Sequence, residues 1–552
     1  MTLKNYEIWK NANLPQHLKN ELLSLNNEQI YDAFYQDLSF GTAGLRGLIG
    51  VGTNRINEVV VRKITKGYAN YLNKHYNNPS VAIAFDNRLF SKEFAFTAAK
   101  VLAANNVKTY IYPELRPTPM LSYLTRYYNC SGGIMITASH NPKEYNGYKV
   151  YESYGGQLNL INSEKVIEEI ALIEDIFNIE EIDNELINWV DLNTIDDAYL
   201  KEVKSISLNN FKDKATILYS PLHGTGGYII SKLLKDLNYN YYSFEPHMAP
   251  DGNFTNTRSA NPEEEIAYID PIVYAKKINA DIIVLTDPDA DRIGVAVKDK
   301  NGEYVILTGN QVAVITLKYI LDNKKDIKNG YVFMSNVTTD LIKVIAEDHN
   351  LTVVKTLPGF KFIAEQIDLM PENATYVFGC EESNGSIVKE FVRDKDAVQA
   401  TLMLAELASY TKMNGQTILD YLDQIYQKYN FFVEKTISFT FSGSEGQSKM
   451  NDLMTLLRTN KLNIKGYQLV QFEDYLTGVL TNLKTNQTTN TTLPKSNVLK
   501  FVFNDNSWIM ARPSGTEPKL KIYFSINDTD YNLAHEKLDI FLKYINDLVN
   551  IK

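Results

Sequence analysis

The sequence predicts an α/β protein of three successive α/β units with mixed sheets, followed by a smaller α+β domain at the carboxyl end. Short apolar runs typical of buried strands alternate with longer helical patterns, and this alternation restarts near residues 214 and 305. After about residue 430 the chain becomes richer in strand patterns and more polar. With 552 residues, the chain is long enough for several domains. We place four domains at 1–195, 196–303, 304–425 and 426–552.

Composition limits the class of function. The chain has 56 Lys and Arg against 66 Asp and Glu, a net charge of −10. General nucleic-acid binding is therefore not expected, and an anionic ligand needs a local cluster of basic residues. Cys130 and Cys380 allow no disulfide framework and lack the spacing of a zinc site. Without an apolar signal-peptide core or a membrane-length apolar run, we expect a cytoplasmic protein with no membrane partner. We expect it to be a monomer or a weak dimer.

The predicted elements follow the chain in order. Residues 6–36 read as helical, and a glycine-punctuated loop at 40–47 carries Arg46. A polar, Thr- and Asn-rich stretch at 484–493 is typical of a mobile loop. Further helices are predicted at 59–75, 91–105 and 530–548, and strands at 81–85, 108–112, 134–136, 214–219, 281–286, 331–334 and 352–355.

Two strands end in loops with chemistry-bearing side chains. The strand at 134–136 runs into residues 137–142 (TASHNP), where the Asn-Pro pair predicts a turn and Ser139 is placed on a loop. The strand at 281–286 runs into residues 287–292 (DPDADR). Its three alternate carboxylates can converge on one hard cation such as Mg²⁺, although a solvated acidic turn is the alternative.

Other motif interpretations can be compared by spacing. A calcium-binding EF-hand that starts at Asp287 would need Gly and Glu where the chain has Arg292 and Lys298. A haloacid-dehalogenase-type phosphatase with Asp287 as nucleophile is weakened by Asp291 and stays open. A dinucleotide-binding motif at 223–227 lacks its third glycine, because Ile229 occupies that position, so a structural turn is favoured.

Three more loops carry polar groups. Residues 512–518 (RPSGTEP) offer an arginine, two hydroxyls and a glycine backbone, which can form a nest for a phosphate, although a hairpin connection is the alternative. Residues 358–361 present a lysine. Residues 381–385 (EESNG) offer acids that could bind sugar hydroxyls, although this loop taken alone favours a solvent-facing turn. The charged run at 393–396 (RDKD) is typical of a solvated surface.

Four of these motifs together resemble the α-D-phosphohexomutases, the phosphoglucomutase and phosphomannomutase superfamily. Residues 137–142 resemble its phosphoserine loop and 287–292 its metal loop. Residues 381–385 resemble its sugar-binding loop and 512–518 its phosphate-binding loop. All four occur in the family's order and span nearly the whole chain. The resemblance implies four domains around a central cleft.

The resemblance also implies roles for single residues. Lys149 falls where the family has a candidate acid/base lysine, and an Asn-Gly pair at 146–147 predicts a hairpin turn that folds it back toward Ser139. The implied catalytic residues are Ser139, His140, Lys149, Arg46 and Arg292. The implied ligands of one Mg²⁺ are Ser139, Asp287, Asp289 and Asp291. The implied substrate-binding residues are Lys361, Glu381, Ser383, Arg512, Ser514, Gly515 and Thr516.

The implied reaction is the interconversion of hexose 1-phosphate and hexose 6-phosphate, with glucose preferred. Phospho-Ser139 would give its phosphoryl group to the sugar, and the bound glucose 1,6-bisphosphate would serve as intermediate and activator. A mannose or pentose phosphate is an alternative substrate on the same scaffold. A metal-dependent phosphosugar phosphatase and a non-catalytic phosphosugar-binding protein are the alternatives from other classes.

Overall fold

A computed structural model describes residues 2–41, 44–441, 446–513 and 519–550. In these residues the chain forms four sheets, one in each of four successive units. The first three sheets are mixed and flanked by helices, and the fourth is antiparallel. The predicted fold class is confirmed. No helix in the described residues is both long enough and apolar enough to span a membrane.

The first sheet carries the Ser139 loop between two adjacent strands. Its order is β1-β5-β4-β2-β3-β6, and β2 is parallel to β3 and β4, whereas β5 is antiparallel to β4 and β1. The strands are β1 (Leu45–Leu48), β2 (Ser80–Phe85), β3 (Lys108–Ile111), β4 (Gly132–Ile136), β5 (Tyr145–Glu152) and β6 (Ile187–Trp189). The helices are α1 (Thr2–Asn11), α2 (Gln16–Ser24), α3 (Asn27–Phe34), α4 (Glu58–His75), α5 (Ser91–Ala104), α6 (Thr118–Tyr127), α7 (Leu160–Ala171) and α8 (Leu192–Lys204).

Residues 6–36 are largely helical, as predicted, and form α1, α2 and α3, because Pro15 precedes α2 and Asn26 caps α3 with its side chain. Two other predictions in this unit were wrong in detail. The loop at 40–47 ends in β1. The pair at 146–147 lies inside β5 and makes no hairpin turn, because Asn146 is buried and bonded to the carbonyl of Leu89. The chain reverses earlier, at 141–144.

The second sheet carries the acidic loop at the end of a central strand. Its order is β11-β10-β9-β7-β8, with β7 parallel to β8 and β9, and β10 antiparallel to its neighbours. The strands are β7 (Thr216–Ser220), β8 (Asn240–Ser243), β9 (Ile282–Thr286), β10 (Ile293–Lys298) and β11 (Tyr304–Leu307), with helices α9 (Gly226–Asp236) and α10 (Ile269–Ile278) and short 3₁₀ turns at Glu245–His247 and Glu265–Tyr268.

The third unit repeats the arrangement with a smaller sheet of order β13-β12-β14-β15. Its strands are β12 (Gly330–Ser335), β13 (Thr352–Thr356), β14 (Thr375–Cys380) and β15 (Ser386–Ile387). Its helices are α11 (Gly309–Asn323), α12 (Asp340–Asp348), α13 (Phe360–Asp368), α14 (Ala397–Met413) and α15 (Ile418–Tyr429). A continuous apolar core joins the three units, from Met135 through Val284 to Leu404, and therefore fixes their loops relative to one another.

The fourth unit has its own core and an antiparallel sheet of order β16-β22-β21-β20-β17-β18-β19. The strands are β16 (Phe431–Thr440), β17 (Leu469–Asp474), β18 (Val479–Asn482), β19 (Gln487–Asn490), β20 (Leu499–Phe503), β21 (Trp508–Pro513) and β22 (Lys519–Asp528), with helices α16 (Gly446–Thr459) and α17 (Tyr531–Asn550). The prediction of a mobile loop at 484–493 was wrong, because this stretch contains β19, which pairs with β18. The indole nitrogen of Trp508 donates to Asp340 at 3.0 Å and ties this unit to the third.

Candidate active site

Ser139 lies just past the end of β4 in a strained conformation. Its φ of +51° is in the left-handed region, which is uncommon for residues other than glycine. Its backbone N–H donates to Thr137 Oγ1 at 2.8 Å, and its hydroxyl donates to Asp287 Oδ2 at 2.7 Å. Backbone strain of this kind is often found at functional sites. The loop therefore turns the Ser139 hydroxyl out of the sheet and toward the acidic loop of the second unit.

The acidic loop converges as its spacing predicted. Asp287, Asp289 and Asp291 are buried, and one ligand oxygen from each lies within 4.8 Å of the others. Burial raises the pKa of Asp287 well above its ordinary value, and the charges of the other two aspartates add to this effect. Uncompensated, such a cluster is costly.

Two lysines compensate the cluster. Lys149 Nζ lies 2.8 Å from Asp289 Oδ2, and Lys395 Nζ lies 3.1 Å from Asp291 Oδ2. Burial opposes the charge of each lysine, but the neighbouring carboxylates outweigh it and raise both pKa values. One oxygen each of Asp289 and Asp291 is still buried without a hydrogen-bond partner. These orphaned hard oxygens fit a divalent cation such as Mg²⁺.

Other predicted catalytic residues surround Ser139. His140 Nδ1 lies 3.2 Å from the Ser139 hydroxyl oxygen. Burial, together with the charges of Arg292 and Arg46, lowers the pKa of His140 to about 3. Arg46 donates to Asn141 Oδ1 at 2.8 Å, and Arg292 pairs with Glu263 at 2.6 Å.

These side chains face a cleft of about 550 Å³ that residues from all four units line. This volume lies in the range of small-molecule sites. Six of the described lining residues are lysine or arginine, a local basic cluster in an acidic chain that suits an anionic ligand. From the first three units these are Arg46, Lys149, Arg292 and Lys395, and from the fourth they are Arg512 and Lys521.

The predicted sugar-binding residues lie between these basic groups. Glu381 and Ser383 line the cleft, and Glu381 Oε1 accepts a hydrogen bond from the N–H of Gly359 at 2.8 Å. Burial, reinforced by the charge of Glu382, raises the pKa of Glu381 to about 7. Lys361 is not among the lining residues, although its neighbour Phe360 is. Ser514, Gly515 and Thr516 lie outside the residues that the structure describes.

The charged run at 393–396 was wrongly predicted to be a solvated surface. Its four residues are buried, and Lys395 both lines the cleft and contacts the acidic cluster. Asp394 holds Lys395 and accepts hydrogen bonds from Tyr151 and Gln157 of the first unit. The apolar residues on both sides of the run, at 391–392 and 397–398, were a sequence signal for burial.

Thr118 and the glycine-rich turn at 223–227 contact the acidic loop. The Thr118 hydroxyl donates to Asp289 Oδ2 at 2.8 Å, and the Thr118 N–H donates to the carbonyl of Asp289 at 2.8 Å. The glycine-rich turn at 223–227 packs against the same loop, since a Cβ on Gly224 would lie 2.4 Å from Pro288 Cα. This close packing favours the structural interpretation of the turn.

Four consecutive segments match known sequence families. The matches are described as phosphoglucomutase/phosphomannomutase alpha/beta/alpha domains I, II and III and the C-terminal domain of the same family, at residues 37–176, 197–302, 308–429 and 461–542. The chain belongs to the phosphoglucomutase/phosphomannomutase family. It is accordingly an isomerase of the phosphotransferring mutase class.

A curated relative supports this membership, and solved structures share the fold. A phosphoglucomutase of Staphylococcus aureus strain MRSA252 is 37% identical over 544 residues, which cover 97% of this chain and 98% of the relative. The phosphoglucomutase pp63/parafusin from Paramecium, in an open form, has a similar fold, with a TM-score of 0.70 at 19% identity over 94% of this chain and 95% of that one. The structure of a phosphoglucomutase/phosphomannomutase family protein from Burkholderia thailandensis has a TM-score of 0.68 at 17% identity. The match covers 92% of this chain and 97% of that one.

Proposed function

We propose that this enzyme interconverts glucose 1-phosphate and glucose 6-phosphate through a phosphoserine at Ser139 and a bound glucose 1,6-bisphosphate. One observation carries the proposal: the Ser139 hydroxyl lies on the cleft wall, 2.7 Å from the acidic cluster, with Arg512 and Lys521 lining the same cleft. A phosphosugar can present one end to Ser139 and the other to these cations. The curated relatives named phosphoglucomutase support glucose as the sugar.

Ser139, Asp287, Asp289 and Asp291 would hold the Mg²⁺. When bound, the ion neutralises charge on the transferring phosphoryl group. Arg46 and Arg292 face the same part of the cleft and would stabilise the equatorial oxygens of that group. Because these two guanidinium groups already line the cleft before the reaction, their side chains need to move little as charge develops on the phosphoryl group.

The proton of the reacting hydroxyl needs a carrier within hydrogen-bond reach. His140, with Nδ1 at 3.2 Å from the Ser139 oxygen, is the nearer candidate for the serine end of the transfer. Lys149 lines the cleft and is held by Asp289, so it serves the substrate end. Phospho-Ser139 gives its phosphoryl group to the free sugar hydroxyl, the bisphosphate turns over in the cleft, and Ser139 takes back the group from the other end.

The remaining predicted residues would orient the sugar. Glu381 and Ser383 would bind ring hydroxyls, and Arg512 would hold the phosphate that does not react. Ser514, Gly515 and Thr516 would add donors to that phosphate, and Lys361 would help to orient the substrate through its loop. Since sugar choice depends on a few hydroxyl contacts, mannose and pentose phosphates are the substrates to compare.

A phosphatase with Asp287 as nucleophile is less well supported. Asp287 Oδ2 accepts the Ser139 hydroxyl, and its Oδ1 accepts the backbone N–H groups of Asp291 and Arg292. Ser139, not Asp287, is among the residues that line the cleft, so a substrate phosphate meets the serine rather than the aspartate.

The test is a substrate panel. Purified enzyme is incubated with Mg²⁺, glucose 1,6-bisphosphate and either glucose, mannose or ribose 1-phosphate, and both the sugar-phosphate isomer and inorganic phosphate are measured. We expect fastest isomer formation from glucose 1-phosphate and little free phosphate. Faster turnover of another sugar would contradict the glucose assignment, and phosphate release without an isomer would contradict the mutase mechanism.

A further inference from the structure

Arg88 makes an unusual set of contacts beneath the Ser139 loop. It follows β2 and is 3% exposed. Its guanidinium donates to main-chain carbonyls along one short stretch of chain: Ser139 at 2.5 Å, Asn141 at 2.5 Å, Pro142 at 2.9 Å and Tyr145 at 3.0 Å. One side chain thus satisfies four carbonyls, three of them in the loop between β4 and β5 and the fourth at the first residue of β5.

The guanidinium is itself fixed from the other side. Arg88 Nε lies 3.5 Å from Asp86 Oδ2, and Asp86 Oδ1 accepts the N–H of Arg88 at 2.9 Å. The ring of Phe254, from the second unit, lies 5.2 Å from the centre of the guanidinium. The planar fork of an arginine therefore has one orientation here, which an ammonium group on a flexible stem would not reproduce.

Main-chain hydrogen bonds restrain the loop at few points. Within 138–145, outside the strand ladder, Asn141 donates to Ala138 at 3.1 Å, Tyr145 donates to Pro142 at 3.0 Å, and the carbonyl of Glu144 accepts the N–H of Ile49 at 2.8 Å. The first two are local, and the third ties only the end of the loop next to β5 to the rest of the unit. The left-handed conformation of Ser139 needs support from its surroundings. Arg88 supplies that support through the carbonyl of Ser139 itself.

We propose that Arg88 is a positioning residue that fixes the Ser139 loop so that the serine oxygen faces the acidic cluster. This inference rests on the proposed role of Ser139 as phosphoryl carrier. Arg88 is not among the residues that line the cleft, so substrate contacts do not depend on it directly. Its loss should therefore lower kcat, which depends on the alignment of Ser139, much more than it changes KM.

Arg88→Lys is the first test, because it keeps the charge but cannot span four carbonyls. We expect kcat to fall by about 100-fold, as a misplacement of about 1 Å can cause, while KM changes less than about threefold. Hydrogen–deuterium exchange should become faster in peptides that cover 138–146. Asp86→Asn keeps Arg88 but removes its charged partner, and should show the same pattern more weakly; it carries the test if Arg88→Lys does not fold.

Arg126→Lys is the matched control. Arg126 is a half-buried arginine of the first unit, and it donates to the carbonyl of Tyr154 at 2.8 Å. The Arg126→Lys variant should have a kcat and a rate of hydrogen–deuterium exchange at 138–146 close to those of the wild type. Wild-type kcat in Arg88→Lys, or a fall in kcat with unchanged exchange at 138–146, would overturn the proposal.

Intact mass of the wild-type enzyme separates this proposal from the proposed function. Absence of phosphate on Ser139 during turnover contradicts the proposed function, not the role of Arg88 in holding the loop.

Discussion

The Ser139 hydroxyl donates a hydrogen bond of 2.7 Å to Asp287, across the boundary between the first and second α/β units. The two residues are 148 positions apart in the sequence. Each lies just beyond the end of a buried strand, and the common core of the first three units holds those strands in place. The contact joins the proposed phosphoryl carrier to the proposed metal site.

Asp289→Asn should weaken Mg²⁺ binding. The substitution removes the charge of a proposed metal ligand and leaves Lys149 without its 2.8 Å partner. We expect the Mg²⁺ concentration at half-maximal activity to rise roughly 100-fold or more, because hard cations prefer carboxylate oxygens. A magnesium titration of activity measures this. Asp299→Asn, in a surface turn of the same unit, is the control, and an unaltered titration in Asp289→Asn would remove the residue from the site.

Thr118→Val tests the hydrogen bond behind the same ligand. Valine keeps the shape of threonine but loses the hydroxyl that donates to Asp289 at 2.8 Å. Loss of such an outer partner typically lowers metal affinity by about 10-fold or more. Binding of Mn²⁺, followed by electron paramagnetic resonance, reports affinity independently of turnover.

Thr125→Val is the control for that variant. Thr125 lies in the same helix, and its hydroxyl donates to the carbonyl of Leu121 within the helix. Its Mn²⁺ affinity should be unchanged. Equal affinities for Thr118→Val and wild type would show that Asp289 is oriented without Thr118.

Arg512→Ala should mainly raise KM. Arg512 lines the cleft in the fourth unit and is expected to hold the phosphate that does not react. A charge-assisted hydrogen bond contributes about 1.5–3 kcal/mol, which corresponds to a rise in KM of about 10- to 100-fold. Steady-state kinetics with glucose 1-phosphate measure it. Lys519→Ala, at a nearby residue that is not among the cleft-lining ones, should change KM little, and a KM equal to wild type in Arg512→Ala would contradict its role.

His247 should make the protein sensitive to acid. It lies between Ser220 Oγ at 2.8 Å and the carbonyl of Asn256 at 2.9 Å, and burial lowers its pKa to about 4. Because the folded pKa is below the unfolded value of about 6.5, the unfolded chain binds the extra proton. The contribution of His247 to the free energy of unfolding is therefore fully present above about pH 6.5 and is lost as the pH drops toward 4. At pH 5 the loss is about 2 kcal/mol.

Thermal unfolding between pH 7.5 and 5 measures this dependence. His247→Gln should be less stable than wild type at pH 7.5 but should lose less stability on acidification. His349→Gln, at a less buried histidine that bonds to the carbonyl of Ile345, is the control. Identical pH slopes for wild type and His247→Gln would contradict the assignment.

The sequence revealed the parts of the site that are contiguous in the chain. Ser139 and the three aspartates each follow an apolar strand, so the strand pattern predicts their exposure on loops at a sheet edge. The roles of Lys395, Thr118 and Arg88 depend on contacts with residues far away in the chain. Their local sequence contains no motif for that purpose, and the charged run around Lys395 even resembled a surface.

Local turn signals were the least reliable predictions of the fold. The Asn146–Gly147 pair has strong hairpin propensity, yet the central position of β5 between β1 and β4 overrides it. There Gly147 is required for close packing, since a Cβ would lie 2.5 Å from the carbonyl oxygen of Thr137. The polar stretch at 484–493 similarly forms a strand, because its pairing partner β18 precedes it directly. In both segments, pairing with neighbouring strands determined the structure, and the local turn signal did not.

The most direct test follows the phosphoryl group on Ser139. Wild-type enzyme is first treated with glucose 1,6-bisphosphate carrying radiolabelled phosphate and with Mg²⁺, and is then desalted. Its intact mass, the Ser139 peptide and the distribution of the label are analysed before and after a single turnover with unlabelled glucose 1-phosphate. The phosphoserine mechanism predicts one phosphate on Ser139 both before and after the turnover and the appearance of the label in the sugar phosphate. It predicts neither phosphate nor turnover in a folded Ser139→Ala variant. Wild-type-like activity in Ser139→Ala, or turnover by an enzyme that never carries phosphate at Ser139, would contradict it.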